Sequence, residues 1–217
     1  MLEKAEDFDV AVHDLIKEYM TENQRIIFNG NGYSEAWVEE AKRRGLPNIP
    51  SMVEAIPAIT EESTVELFEK FKVFTRAELE SRSEIQYESY SKILNIEART
   101  MTNMASKLII PAVIEYTKTL AETVIAVKQA GADATVQAEL LNEISGLLKE
   151  AKEALRDLEA RTEEAAAEED CRTQANYYYR QVVPAMDRLR SPIDKLEMIV
   201  DKKVWPMPSY GDLLFEV

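Results

Sequence analysis

Between Arg76 and Lys128 the chain contains no glycine, and Pro111 is the only proline. Over the same stretch Leu79, Tyr90, Leu94, Met101, Met104, Leu108, Ala112, Leu120, Val124 and Val127 recur at three- and four-residue steps. That period places them on one face of an α-helix. The spacing therefore predicts a rod of about fifty residues, on the order of 75 Å long at 1.5 Å per residue. A kink is expected near Pro111, which lacks an N–H and crowds the preceding turn. Few folds accommodate so long an uninterrupted helix. The most direct is a bundle in which other long helices cover its apolar stripe.

Two further seams supply those helices. After the turn at Gly131-Ala132-Asp133, a second helix starts near Ala134 and carries Leu140, Leu141, Ile144, Leu147, Leu148, Ala151, Leu155 and Leu158 inward. It then runs into Glu163, Glu164, Glu168, Glu169 and Asp170 around three alanines, which reads as a fraying end and a turn capped by Asp170. A third helix from Cys171 to about Val204 has Ala175, Tyr178, Val182, Met186, Leu189, Ile193, Leu196 and Val200 as its seam. Bends are expected at Pro184 and Pro192, and Trp205-Pro206-Met207-Pro208 should end it. Three long helices with short links imply an antiparallel bundle. Only 6 glycines in 217 residues, ~3% against a usual figure of about 7%, argue the same way, since turn-rich β folds and glycine-looped nucleotide folds need more.

The first third is broken into shorter pieces. Leu2 to Met20 places Phe8, Val12, Leu15, Ile16 and Tyr19 at helical spacing. Arg25-Ile26-Ile27-Phe28, followed by Asn29-Gly30-Asn31-Gly32, reads as one short strand and a tight turn. A lone strand cannot satisfy its own backbone, so it would need a sheet from elsewhere. Ser34 is placed to cap a helix through Arg44 with Gly45 as its stop, and Trp37 and Val38 should face the core. Leu46-Pro47-Asn48-Ile49-Pro50 is a rigid connector. Ser51 with Glu54, Ser63 with Glu66 and Thr75 with Glu78 match the reciprocal capping pattern and mark three further helix starts. The expected class is thus all-α: an antiparallel bundle of three long helices, several short helices, and at most one short strand in the N-terminal third. The expected segments are 1–74, 75–204 for the bundle, and a C-terminal tail at 205–217 whose Leu213, Leu214 and Phe215 should dock on an apolar surface.

Charge and residue chemistry narrow the function. Lys and Arg number 26 against 40 Asp and Glu, a net charge of −14. Nucleic-acid affinity rests largely on cations that displace counterions from phosphates, so a nucleic-acid partner is disfavoured. The basic residues are interleaved with glutamate, as in Glu39-Glu40-Ala41-Lys42-Arg43-Arg44, the habit of a solvated helix face. Anionic membrane surfaces are disfavoured for the same reason, and no apolar stretch is long enough to span a bilayer. The N-terminus lacks the pattern of a signal peptide. A single cysteine, Cys171, admits no intrachain disulfide and suits a reducing cytoplasm. Its acidic surroundings at Glu168, Glu169 and Asp170 favour an inert thiol over a reactive one.

The remaining candidates for chemistry are sparse. The only histidine, His13, lies between Val12 and Asp14 on a helix and reads as solvated. Di-metal bundles use Glu-x-x-His, which does not occur here. The turn Asn29 to Ser34 opens a helix, whose N-terminus can attract an anion, but it lacks both the P-loop and the dinucleotide fingerprints. Tyr177, Tyr178 and Tyr179 cannot form one stacking platform, because consecutive helical positions point about 100° apart. One should be in the core and the others at its rim. Met101 and Met104 read as core filler. No catalytic, cofactor-binding or metal-binding residue is assigned.

Several segments carry a resemblance. Arg25-Ile26-Ile27-Phe28-Asn29-Gly30-Asn31-Gly32-Tyr33-Ser34, with Trp37-Val38-Glu39-Glu40-Ala41 and Arg43-Arg44-Gly45-Leu46-Pro47-Asn48, resembles the end of the catalytic region in type III glutamine synthetases. Leu79-Glu80-Ser81-Arg82-Ser83-Glu84-Ile85 and Asn95-Ile96-Glu97-Ala98 resemble the start of that family's C-terminal helical region. Trp205-Pro206-Met207-Pro208-Ser209-Tyr210-Gly211-Asp212-Leu213-Leu214-Phe215 resembles its C-terminus. The similarity runs over essentially the whole chain in the same order. It implies a parent enzyme of nitrogen metabolism that makes glutamine from glutamate, ammonia and ATP, with Mg or Mn, through γ-glutamyl phosphate, and that assembles into stacked rings. It also implies that Met1 falls mid-sequence in the parent, and that the metal, glutamate and ATP sites match no position here. The implied partners are the remainder of the synthetase chain and neighbouring subunits, with a homo-oligomer possible in its own right. The other reading is a freestanding helical scaffold or adaptor with no enzymatic activity.

Overall fold

The computed structural model describes residues 7–215, and among them no strand forms. The chain divides into two units between Glu54 and Ala55.

In the first unit, α1 (Phe8–Glu22) starts at Asp7, whose Oδ1 accepts from the N–H groups of Asp9 and Val10. The expected start at Leu2 lies outside the described residues. No side chain of α1 is fully buried, and Phe8, Val10, Ile16, Tyr19 and Met20 are all exposed. The helix stops where the backbone and side-chain amides of Asn23 both donate to the Tyr19 carbonyl. The expected strand at 25–28 is a 3₁₀ turn over Gln24–Ile26, followed by extended Ile27. No strand lies beside it. Its carbonyls are taken instead by a guanidinium: Arg44 donates to the carbonyl oxygens of Gln24, Arg25 and Ile27.

Helix α2 (Glu35–Arg43) begins after Ser34, whose backbone is extended as at an N-cap. The Ser34 hydroxyl, however, donates back to the Asn31 carbonyl at 2.7 Å rather than accepting from the helix. The helix ends as expected at Gly45, at φ +68. The Leu46 N–H reaches back to the Ala41 carbonyl and the Gly45 N–H to that of Lys42, which together close a Schellman cap. Ala41 is buried and Trp37 half-buried, but Val38 is exposed, against expectation. Nine residues make two and a half turns, and the inward arc is narrow enough to exclude it. The short helix α3 (Met52–Ala55) starts where the Ser51 hydroxyl accepts from the Glu54 N–H.

In the second unit a 3₁₀ segment, Ile56–Thr60, leads into α4 (Glu62–Lys70). Ser63 lies inside α4 rather than capping it. The cap is Glu61, whose carbonyl accepts from Thr64 and Val65. The full reciprocal box forms at Thr75, where the Glu78 N–H meets the Thr75 hydroxyl and the Glu78 carboxylate takes the Thr75 N–H.

That box opens the first rod: α5 (Arg76–Met104), a π-turn at Ala105–Ile109, and α6 (Ile110–Gln129). The disturbance expected at Pro111 takes the form of this π-turn. Ile110 bonds five residues back to the Ala105 carbonyl, which widens the helix just before the residue that cannot donate. The rod ends at Gly131, φ +77, in a second Schellman cap with Ala132 bonded to Val127. The second rod is α7 (Thr135–Ala167). Its acidic end does not fray at Glu163, as expected, because Thr162 and Ala165 are buried there and hold the last turn in place. Asp170 then caps the third rod by accepting from the Thr173 N–H, as expected.

The third rod repeats the architecture of the first: α8 (Cys171–Tyr177), a π-turn at Tyr178–Val182, and α9 (Val183–Ile199) with Pro184 in its first turn. Pro192 lies inside α9, which continues through it. The rod stops at Ile199, earlier than Val204, because Asp201 offers an alternative: its carbonyl takes the N–H groups of Val204 and Trp205 and its carboxylate that of Lys203.

The three rods bury one core in two adjoining layers. Ala98, Ala105, Leu155, Leu158, Tyr178, Val182 and Leu189 make one, and Ile109, Val113, Ile144, Ala151 and Leu196 the other. Alanines where rods meet allow close approach, and larger aliphatic side chains fill the space between. Arg188 on α9 donates to Asp157 on α7 at 2.5 Å, and that guanidinium holds the Asp157 carboxyl below its ordinary range.

Candidate functional site

The sequence-level candidates are dispersed. His13 is exposed on α1, its ring 3.2 Å from Asp14. Cys171 is half-buried at the start of α8. Burial, then the carboxylates of Asp170 and Glu84, raise its pKa and keep it a thiol. Tyr178 is in the core, with Tyr177 and Tyr179 at its rim. The Tyr177 hydroxyl donates to the Glu164 carboxylate. Met101 packs against the first core layer. In the turn before α2, the Tyr33 N–H donates to Asn31 Oδ1, and the turn is closed on itself.

Hydroxyl–carboxylate pairs do form, at Thr75–Glu78, Thr135–Asp133, Thr173–Asp170 and Ser209–Asp212. All four stand at helix starts, where the same atoms also satisfy backbone N–H groups. Their geometry is that of caps. Among the described residues no group of three or more His, Cys, Asp or Glu side chains is placed to hold a metal ion.

Sequence reasoning did not single out the polar centre of the first unit. Arg44 lies within 6.0 Å of the Phe28 ring and 5.8 Å of the Trp37 ring, which themselves stand 4.5 Å apart. Its Nε donates to Glu40 at 2.6 Å. Hydrogen bonds from Arg43, then Arg44, bring the Glu40 pKa down to about 2. The only local signal was an Arg beside Gly45. The rest required knowing that Phe28 folds back over α2.

Two surface features remain. One is a groove of about 640 Å³ between the first and second rods, with an apolar floor and Lys149, Lys152, Glu153 and Arg156 along one side. The other is the C-terminal helix α10 (Tyr210–Phe215). Its acidic residue is tied down: Lys202 donates to Asp212, which also takes the Ser209 N–H. Its apolar side chains are not. Leu213 is 66% exposed, Leu214 71% and Phe215 82%. Within this chain these three side chains of the tail are uncovered, and Val217 lies outside the described residues. Among the described residues no helix is long and apolar enough to cross a membrane.

Fold and surface together define an all-α region with a three-rod bundle around a buried apolar core and apolar side chains left uncovered on α1 and α10. Residues 11–128 match the family model of the glutamine synthetase C-terminal domain. The chain is 35% identical over 221 aligned residues to a type-3 glutamine synthetase of Dictyostelium discoideum, covering 98% of this chain and 30% of that protein. It is 33% identical over 208 residues to a glutamine synthetase of Butyrivibrio fibrisolvens and 31% over 221 to one of Bacteroides fragilis, covering 95% and 99% of this chain and 30% of each relative. The chain belongs to the glutamine synthetase C-terminal domain family and corresponds to the C-terminal region of these larger proteins.

Proposed function

We propose that this chain serves as the accessory helical domain of a glutamine synthetase, packing between subunits and bracing a catalytic domain, and that it is inactive by itself. The observation that carries the reading is α1. Five of its large apolar side chains are exposed and none is fully buried. An amphipathic helix gains most of its stability from covering its apolar face, so α1 calls for a surface it does not have here. The chain spans about 30% of each relative's length, which leaves ample polypeptide to supply that surface. The parent reaction would be ATP-dependent ligation of ammonia to glutamate, with ATP and Mg or Mn held by that other polypeptide. The reading also carries a cytoplasmic location, in keeping with a lone cysteine.

The test uses the chain and, produced separately, the remainder of the Dictyostelium relative. Gel filtration should show the two comigrating, and the chain alone should show no ATP- and metal-dependent γ-glutamyl transfer above a buffer blank. Turnover by the chain alone overturns the inactivity claim. Absence of any association favours the freestanding scaffold, which the complete core of the second unit would support.

A further inference from the structure

The turn before α2 carries two Asn-Gly steps, Asn29-Gly30 and Asn31-Gly32, and all four residues are exposed. Such a step holds its own reaction partner. The glycine amide nitrogen can close a five-membered ring on the asparagine side-chain carbonyl carbon, and no Cβ shields it. Closure needs a near-attack geometry, reached only when the asparagine side chain and the following peptide plane turn to face each other.

The structure separates the two steps. At Asn31 both parts are tied. Its Oδ1 accepts from the Tyr33 N–H at 3.0 Å. Its carbonyl accepts from the Ser34 N–H at 3.2 Å and from the Ser34 hydroxyl at 2.7 Å. At Asn29 neither part is held: among the described residues its carboxamide, its carbonyl and the Gly30 N–H have no hydrogen-bond partner. Asn29 lines a cleft of about 410 Å³ with Lys17, Gln24 and Arg44. The glycine that follows it is required by the fold, since a Cβ at position 30 would stand 2.6 Å from the Phe28 ring. The packing of Phe28 against Trp37 and Arg44 therefore keeps an unshielded amide next to an untethered asparagine.

We propose that Asn29 is a site of spontaneous deamidation, and that its product loosens the Arg44 centre. Solvent base removes the Gly30 amide proton, and the nitrogen attacks Asn29 Cγ. The N–Cγ bond forms, the Cγ–Nδ2 bond breaks, and Nδ2 leaves as ammonia with a proton from water. Water then opens the cyclic imide at either carbonyl, giving aspartate or isoaspartate. The sum is one water consumed and one ammonia released, with no change of oxidation state. In isoaspartate the main chain runs through Cγ and is one methylene longer between Phe28 and Gly30. That moves Gly30 off the Phe28 ring and brings a new carboxylate into the cleft lined by Lys17 and Arg44. The same unit carries α1, the helix proposed above to meet a catalytic domain, so the modification weakens that contact with age; this consequence rests on that reading.

The full chain is aged at mildly alkaline pH and digested with trypsin. The peptide 26–42 holds both asparagines and no other. Fragmentation should place the gain of one mass unit on Asn29 about fivefold faster or more than on Asn31, the factor set by one hydrogen bond that must break before attack. In a synthetic peptide of the same residues the two rates should converge. Ser34→Ala frees the Asn31 carbonyl from one bond and should narrow the gap in the folded chain. Asn29→Gln, at an exposed position, should remove the fast phase with circular dichroism unchanged. Amide exchange over residues 24–46 should quicken in the aged chain and not in aged Asn29→Gln. Asn31 reacting as fast as Asn29 overturns the inference, as does a chain that stays intact while the peptide converts. Full conversion at Asn29 without faster exchange overturns the loosening. Comigration with the remainder of the Dictyostelium relative is read alongside, before and after ageing. A fresh chain that fails to comigrate counts against the proposed function, while the mass gain at Asn29 is judged without it.

Discussion

Arg44 in the first unit and Tyr178 in the second hold their surroundings by different means. Tyr178 is a buried aromatic among aliphatic side chains from three rods. Arg44 is a cation that collects backbone carbonyls and two aromatic rings about itself. The second unit has a continuous apolar core, with Leu155, Leu158, Leu189 and Leu196 fully buried. In the first, Ala41 and Val53 are the fully buried apolar residues among those described. Burial of apolar area is the dominant favourable term in folding. The second unit therefore has the means to stand alone, while the first relies on caps, turns and one guanidinium. A segment held that way, with its large apolar side chains outward, is what the proposed packing against a catalytic domain asks for.

Core truncation tests this contrast most severely. Leu155→Ala should cost about 2–5 kcal/mol by denaturant unfolding of the second unit. Ile16→Ala on α1 should change the stability of the chain by less than about 0.5 kcal/mol. A comparable loss at Ile16 would mean that α1 is covered and would remove the distinction between the units.

A smaller effect comes from the two Schellman glycines, which invite the same substitution in both units. Gly45 and Gly131 have φ +68 and +77, with open space where a Cβ would stand, so alanine brings backbone strain without a clash. Gly131→Ala should lower the stability of the bundle by about 1–2 kcal/mol. Gly45→Ala should leave that transition in place and instead speed amide exchange over residues 24–46, as local opening does. A matching shift of the main transition by both variants would show that the units unfold as one.

The mildest probe is acid. The folded-state pKa of Glu40 is about 2, below its ordinary 4.5. Its contribution is complete above about pH 4.5 and disappears as the pH falls toward 2. With Trp205→Phe as background, Trp37 is the remaining tryptophan, and its fluorescence should change near pH 2, where Glu40 takes up its proton and Arg44 loses its carboxylate partner. Glu40→Gln should abolish the transition. An unchanged acid profile in that variant would detach the Arg44 centre from Glu40.

The rods, their caps and most of their seams were legible in the sequence because helical period, glycine stops and capping hydroxyls act within a few residues. The π-turns were legible only as prolines. A proline announces a missing donor, but whether the helix kinks, widens or runs on, as at Pro111, Pro184 and Pro192, depends on what packs against it. The expected strand at 25–28 failed for a related reason. Its β-rich composition is real, yet carbonyls need donors, and the donor that reached them was Arg44, nineteen positions from Arg25.

The order of helices, the all-α class and the positions where chains of hydrogen bonds begin and end were set by local residue chemistry, and so could be read along the chain. Which apolar side chains stay uncovered, which cations line a groove, and where the last helix leaves its leucines were decided only when the rods came together. Burial is a property of surfaces shared between distant segments, and no local pattern records which of two equally apolar faces will find a partner.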